Sequence, residues 1–308
     1  MTTATRAIIL KVSSTIAFAL MLSCIKLVGE RVPTGEIVFF RSAFALVPLL
    51  GMLAWQNKLK EAVRTKDPWS HARRGLVGVT TMMLWFAGVQ RLPLPESMAI
   101  SYGAPLMIVV LGALILHETV RIYRSTAVAV GFVGIMIVLW PRFDLLSSGE
   151  LGGREFVGSL CALGSMVLTA VVAILIRKMT ATESTSAIVF YFSVTCTVVA
   201  LFTIPFGWVM PDTEEMILLI LCGLFGGLGQ ITLTAAYRYA ETSTIAPFEY
   251  ASMIWGTIAG YLLFNEIPGI NVAVGGAVVI AAGIFIIYRE HQLGLERRKM
   301  RKLSTPQG

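Results

Sequence analysis

Charge is scarce in this chain. Of its 308 residues only 14% are Asp, Glu, Lys or Arg, while 56% are hydrophobic. Soluble domains run near a quarter charged, so the composition belongs to a chain dissolved mostly in lipid. Histidine is scarcer still. His71, His117 and His291 fall in connections or the tail, with no Ser–His–Asp pattern around them, and "HETVR" at 117–121 lacks the second histidine of a zinc-protease motif. A membrane-embedded enzyme is therefore disfavoured. The four cysteines (Cys24, Cys161, Cys196, Cys222) sit inside apolar stretches and never approach CxxC spacing, which argues against zinc and disulfides. No polar stretch is long enough for a soluble domain. The net charge of +7 lies between apolar runs rather than on one polar surface, so a nucleic-acid partner is not expected. No phosphate loop is present either: "CGLFGGLG" at 222–229 has glycines but no Gly-Lys-Ser/Thr, and reads as close helix packing.

What the chain has instead is long apolar runs. A helix needs about 20 apolar residues to cross the hydrocarbon core. That length gives ten predicted spans, at 7–29, 34–55, 73–91, 95–116, 124–141, 155–177, 186–207, 214–237, 243–264 and 269–288. The first is too long for a signal peptide and has no cleavage site after it, so it reads as a retained span. With the N-terminus inside, Arg6, Lys58, Lys60, Arg64, Lys66, Arg73, Arg74, Arg121, Arg124, Arg177, Lys178, Arg238 and the tail "ERRKMRK" share one side. Only Arg31, Arg91, Arg142 and Arg154 fall on the other, which places both termini in the cytoplasm. Trp55, Trp140 and Trp208 stand at span ends, where belt tryptophans belong.

The spans repeat. "YGAPLMIVVLGALILHE" (102–118) and "YASMIWGTIAGYLLFNE" (250–266) align Tyr102 with Tyr250, Gly112 with Gly260, Leu114 with Leu262 and Glu118 with Glu266. Further on, Gly134 meets Gly283. Earlier, "EIVFFR" (36–41) resembles part of "SAIVFYF" (186–192), with Lys26 opposite Arg177 and Ser14 opposite Ser165. Two halves of five spans each follow, the second inverted in the membrane, as in many transporters. The terminal glutamates then close long helices on opposite faces, a structural role. Predicted boundaries are 1–144 for the first repeat, 145–290 for the second and 291–308 for a basic cytoplasmic tail. The fold class expected is an all-α polytopic membrane protein of ten transmembrane helices around a central cavity.

"FFRSAF", "SYGAPL…LGALILHE" with "GFVGIMIVLWP", and "APFEYASMIWGTIAGYLLFNE" with "GGAVVIAAGI" together resemble the drug/metabolite transporter superfamily, in its ten-span EamA type. The resemblance covers nearly the whole chain. It implies alternating access, a small-molecule substrate and no cofactor or ATP, in a bacterial-type inner membrane. Members that export aromatic amino acids, or take up riboflavin or S-adenosylmethionine, share these motifs. A working monomer in the lipid bilayer is expected.

Polar residues inside spans are the candidate lining, since ionisable groups deep in lipid cost about 2.5–3.5 kcal/mol each. Arg41 lies about 10 Å into its span by helical rise and suits a substrate carboxylate; snorkelling or an ion pair with Glu36 or Glu30 is its structural alternative. Glu249 suits an ammonium group or a coupling proton, with Arg238 as the structural alternative. Lys26 reads as snorkelling. Thr81 and Trp85 share a face, as do Ser97 and Ser101, while Gln230, Thr234 and Tyr237 form a stripe. Tyr102, Ser252 and Trp255 complete the set, and helix–helix hydrogen bonding is the competing account of all such stripes. Pro105 and Pro247 are candidate kinks. Few fixed charges and an aromatic interior favour export of amino acids, including aromatic ones, over uptake of a vitamin or cofactor. An ion channel would repeat in parallel about an axis.

Overall fold

A computed structural model describes residues 3–116, 122–147, 153–179, 182–239 and 246–303. Every regular element among them is helical: α1 (Thr3–Val28), α2 (Thr34–Trp55), α3 (Leu59–Val63), α4 (Pro68–Arg91), α5 (Leu94–Ser101), α6 (Ala104–Leu116), α7 (Ile122–Ser147), α8 (Arg154–Met179), α9 (Thr185–Leu201), α10 (Thr213–Tyr239), α11 (Ala251–Phe264) and α12 (Ile270–Leu303), with 3₁₀ turns at Ile204–Phe206 and Ala246–Tyr250. In lipid this is the expected solution, because a helix satisfies its own backbone polar groups.

Among the described residues seven helical stretches are long and apolar enough to cross a membrane: Thr5–Val28, Thr34–Trp55, Leu94–Ile115, Ile122–Pro141, Arg154–Ile176, Thr213–Leu233 and Ile270–Arg289. Three expected spans fall short of that standard, each for a visible reason. Helix α4 carries Arg73, Arg74 and His71 in its first turns. Helix α9 stops at Leu201, and its apolar stretch Ser186–Leu201 is too short. Helix α11 has 14 residues and is preceded by a 3₁₀ turn.

Leu20, Val47, Leu114, Val130, Leu160, Val198, Ile258 and Leu262 are all exposed on the outside of the bundle. An apolar exterior this wide suits acyl chains rather than water. Inside, α1 packs along α10, α4 along α8, α2 along α9 and α10, and α7 along α12. Glycine permits the last contact. A Cβ on Gly134 would stand 2.8 Å from the Gly275 carbonyl oxygen, so these two backbones touch directly.

Polar networks tie the helix ends. At one end Arg31 donates to Asp212 (3.2 Å) and Glu215 (2.5 Å), and Arg154 pairs with Glu30, as does Arg91 at 3.6 Å. At the other end Glu183, between α8 and α9, accepts the backbone N–H groups of Lys66 (2.7 Å) and Asp67 (3.0 Å) and the Thr65 hydroxyl (3.1 Å). His71 Nε2 lies 3.3 Å from the same carboxylate. Burial alone would push the Glu183 carboxyl up, but these donors outweigh it and hold it below the ordinary carboxylate range.

A lowered folded-state pKa contributes stability that is fully present above the unfolded value, about 4.3, and is lost as pH falls through the lower folded value. Glu183→Ala is expected to lower the melting temperature of the detergent-solubilised protein at neutral pH, at a cost of about 1–3 kcal/mol for orphaned backbone donors. It also flattens the acid side of the stability profile. Equal melting temperatures at pH 7 would contradict this role.

Candidate substrate site

Helix α1 carries two lysines, one toward each end, and both find glutamates on the segment that runs parallel to it. Lys26 pairs with Glu266 and also donates to the Leu92 carbonyl at 2.8 Å. Asn265 makes this possible. It adopts a left-handed backbone (φ 54°), which asparagine tolerates, and so ends α11 and turns Glu266 back toward the bundle. Glu266 additionally accepts the Leu94 N–H at 3.0 Å, covering an otherwise unpaired donor at the start of α5. Lys26 thus takes an ion pair rather than reaching for water, and Glu266 has the structural role expected of it. Glu118, its repeat counterpart, lies outside the described residues.

Near the other end Lys11 pairs with Glu249. The burial is lopsided, with the Lys11 side chain 1% exposed and that of Glu249 51% exposed. Lys11 is a cation that the sequence reading missed. It replaces Arg238, whose side chain lies outside the described residues, as the observed partner of Glu249.

Between these clamps the two broken helices meet. Helix α5 ends at Ser101, Tyr102 and Gly103 form a turn, and α6 restarts with Pro105 in its first turn. That is where the ring removes no needed hydrogen bond. The matching segment turns as a 3₁₀ helix containing Pro247 and then becomes α11. The backbone therefore breaks beside Pro105 and turns again in the 3₁₀ segment that contains Pro247. Tyr102 and Tyr250 stack edge-to-face at 5.1 Å. Ser252 Oγ donates to the Glu249 carbonyl at 2.6 Å, which leaves Tyr102 Oη as the donor in its 2.5 Å bond to Ser252.

A separate hollow opens between α2, α9 and α10. Its volume is about 40 Å³, and its lining includes Arg41, Phe192, Ser193, Gly226 and Gln230. That is room for a few waters or a small anion, well below the few hundred Å³ that a drug-sized ligand fills. Arg41 is buried, and its Nε has no hydrogen-bond partner. Neither of its expected ion pairs forms: Glu36 accepts the Val209 N–H at 3.1 Å, and Glu30 serves Arg91 and Arg154.

Arg74 stands against the hollow's wall rather than in its lining. It is buried, its Nε and Nη1 lack partners, and its guanidinium lies 4.0 Å over the ring of Phe192, a lining residue. Composition had assigned Arg74 to the loop charges. Its neighbour Arg73 does belong there, exposed and donating to Ser70 Oγ at 3.1 Å. The available signal was a buried stripe of His71, Arg74, Gly75, Gly78 and Met82 along α4.

The other expected lining residues divide. Gln230 joins Arg41 at the hollow. Thr81 and Ser101 spend their hydroxyls on their own helices, bonding the carbonyls of Val77 (2.7 Å) and Met98 (2.7 Å). Trp85 packs against the apolar core. Trp255 has a buried N–H with no hydrogen-bond partner, as does the hydroxyl of Ser97. Tyr237 belongs to α10, but its side chain and that of Pro247 lie outside the described residues.

Apolar crossings around a hollow lined by a buried arginine, whose Nε has no partner, define a solute transporter of the membrane. More narrowly, the chain belongs to the EamA-like transporter family, whose profile matches residues 5–140 and again 156–289. It is 30% identical over 265 residues to an S-adenosylmethionine uptake transporter of Rickettsia bellii, covering 86% of this chain and 87% of that one. A riboflavin transporter of Rhizobium johnstonii is 27% identical, with 84% and 82% covered, and the pseudopaline exporter CntI of Pseudomonas aeruginosa is 27% identical, with 90% and 94% covered. A solved crystal structure superposes with a TM-score of 0.62 at 18% identity, covering 91% of this chain and 96% of the other, and so shares the fold.

The lopsided clamp makes a lopsided prediction. Glu249→Ala strands Lys11 as an uncompensated buried charge, a loss of about 3 kcal/mol, whereas Lys11→Met leaves Glu249 with access to water. Melting temperatures in detergent should fall clearly for Glu249→Ala and little for Lys11→Met. Equal losses would mean that the lysine is not the buried partner.

Proposed function

We propose that this chain is an alternating-access carrier for amphipathic metabolites bearing a carboxylate, with Arg41 as the group that holds it. The observation that carries the reading is a buried arginine at a hollow, with no carboxylate paired to it among the described residues. A cation left unpaired at that depth costs about 2.5–3.5 kcal/mol, a cost that a bound anion relieves. The guanidinium fork suits a planar carboxylate in a bidentate grip.

The architecture proposed with it is two inverted five-span halves, 1–144 and 145–290, with 291–308 as a cytoplasmic tail. In this reading α4, α9 and the Ala246–Phe264 segment are the three further crossings, shielded from lipid enough to tolerate polarity or brevity. Helix neighbours support the repeat. Exchanging α1, α2, α4, α6 and α7 for α8, α9, α10, α11 and α12 converts the α1–α10 contact into α8–α4, and the α1–α11 contact into α8–α6. The doubled family match supports it too. Both termini are placed in the cytoplasm of a bacterial-type inner membrane, and the carrier works as a monomer.

Export of amino acids, including aromatic ones, fits a carboxylate at Arg41 with aromatic groups such as Phe192 nearby. Uptake of S-adenosylmethionine stands level with it, because the relatives named for that solute match nearly the full chain. That solute also carries an amino-acid carboxylate. Its bulk exceeds the closed hollow, so only the carboxylate end would seat before the helices part. In both versions Tyr102, Ser252 and Tyr250 join the two broken helices that must shift on opening, and Trp255 offers an indole N–H to the solute.

Flux in proteoliposomes discriminates. Labelled phenylalanine and S-adenosylmethionine are each followed in uptake and efflux, with and without a pH gradient. Arg41→Ala is expected to lower flux of the carried solute at least about tenfold while protein remains folded in the bilayer. Wild-type flux in that variant would end the carboxylate assignment.

A further inference from the structure

From the pairing of charges we infer that Arg74 joins Arg41 in one anion site, and that the site takes a solute head carrying two acidic groups. The inference rests on the reading of Arg41 given above but departs from the two solutes named there, each of which carries a single carboxylate, in naming a second receptor and a valence.

Three observations carry it. First, two buried guanidinium groups share one aromatic ring: Arg41 lines the hollow together with Phe192, and Arg74 lies over the Phe192 ring. No described carboxylate pairs with either. This contrasts with the four cations Lys11, Lys26, Arg31 and Arg154, each of which has a carboxylate within ion-pair distance. A fold that gives these four cations carboxylates and leaves two buried arginines without one has a site for an anion of matching charge.

Second, Arg74 is held rather than snorkelling. Its guanidinium carbon lies 4.0 Å over the Phe192 ring centroid, a contact that keeps a cation in an apolar setting without using its N–H groups. Nε and Nη1 are the buried donors left over. Phe192 is itself part of the hollow's wall, so the ring that holds Arg74 also borders the space that Arg41 lines.

Third, room has been made for it. A Cβ on Gly78 would run into Arg74 Nη1 and would lie 2.6 Å from Phe192 Cε2. Only glycine at 78 lets guanidinium and ring lie together against α4. The hollow, about 40 Å³, is matched to a small acidic head rather than to a whole metabolite.

Two acidic groups can belong to a dicarboxylate or to a phosphate, and the two are separable. Thermal shift of the purified full-length protein in detergent is measured against acetate, succinate and inorganic phosphate at constant ionic strength. In the wild type at least one dianion should bind about tenfold more tightly than acetate. A preference for succinate identifies a dicarboxylate head, and a preference for phosphate identifies a phosphorylated one. Arg74→Ala should erase the dianion preference yet keep acetate binding, which also reports that the variant is folded. Should that variant fail to fold, Gly78→Ala decides, because it dislodges Arg74 without removing charge and should weaken dianions selectively. Equal binding of acetate and both dianions in the wild type, or an intact preference in the deciding variant, overturns the two-arginine site. Loss of every anion in Arg41→Ala alone supports the carboxylate reading, and unchanged acetate binding there defeats that reading instead.

Discussion

A charge inside an apolar bundle must be answered by another charge, and this constraint organises the molecule. Lys11 and Lys26 satisfy it through Glu249 and Glu266, and in doing so they clamp α1 alongside the segment ending in α11 at two widely spaced points. These pairs join residues more than two hundred positions apart and so staple the first half of the chain to the second. Arg41 and Arg74 have no such carboxylate among the described residues, and Arg41 lines a hollow in the packing. Paired cations build the frame. Unpaired ones mark the proposed site.

Much of this was legible in the sequence. Apolar runs of membrane length mark the helices, but length alone does not show which fall short: α4 with its Arg73–Arg74 doublet, α9 and α11 all lie in runs that read as full spans. Pro105 and Pro247 announced the breaks that bring Tyr102 and Tyr250 together, because proline disfavours a helical residue before it and removes a donor. Arg41 stood out because an arginine in "FFRSAF" lies well inside an apolar run, and the structure engages Glu36 and Glu30, its candidate partners, elsewhere.

Lys11 and Arg74 were not legible, for a physical reason. Each lies near a helix start, where basic residues ordinarily face the cytoplasm, so sign and position suggest a topology signal. Only tertiary packing distinguishes a buried cation from a wet one. Adjacent residues on a helix point about 100° apart, so Arg73 and Arg74 have opposite fates despite identical chemistry. Lys11's partner could not be guessed from spacing. The same blindness affected the hydroxyls of Thr81 and Ser101, which looked like cavity groups and bond their own helices. Lys11 is answered by Glu249, but Arg74 adds a second buried cation without a carboxylate and shifts the interior from nearly neutral toward positive.

The central claim is that the guanidinium groups recognise negative charge on the solute. Competition by a solute and its neutral twin tests it without altering the protein. An amino acid that inhibits transport in proteoliposomes is compared with its carboxamide, which keeps size, amine and side chain and loses only the charge. The account predicts inhibition by the acid at concentrations at least about tenfold lower than by the amide. Equal inhibition by the two would contradict it.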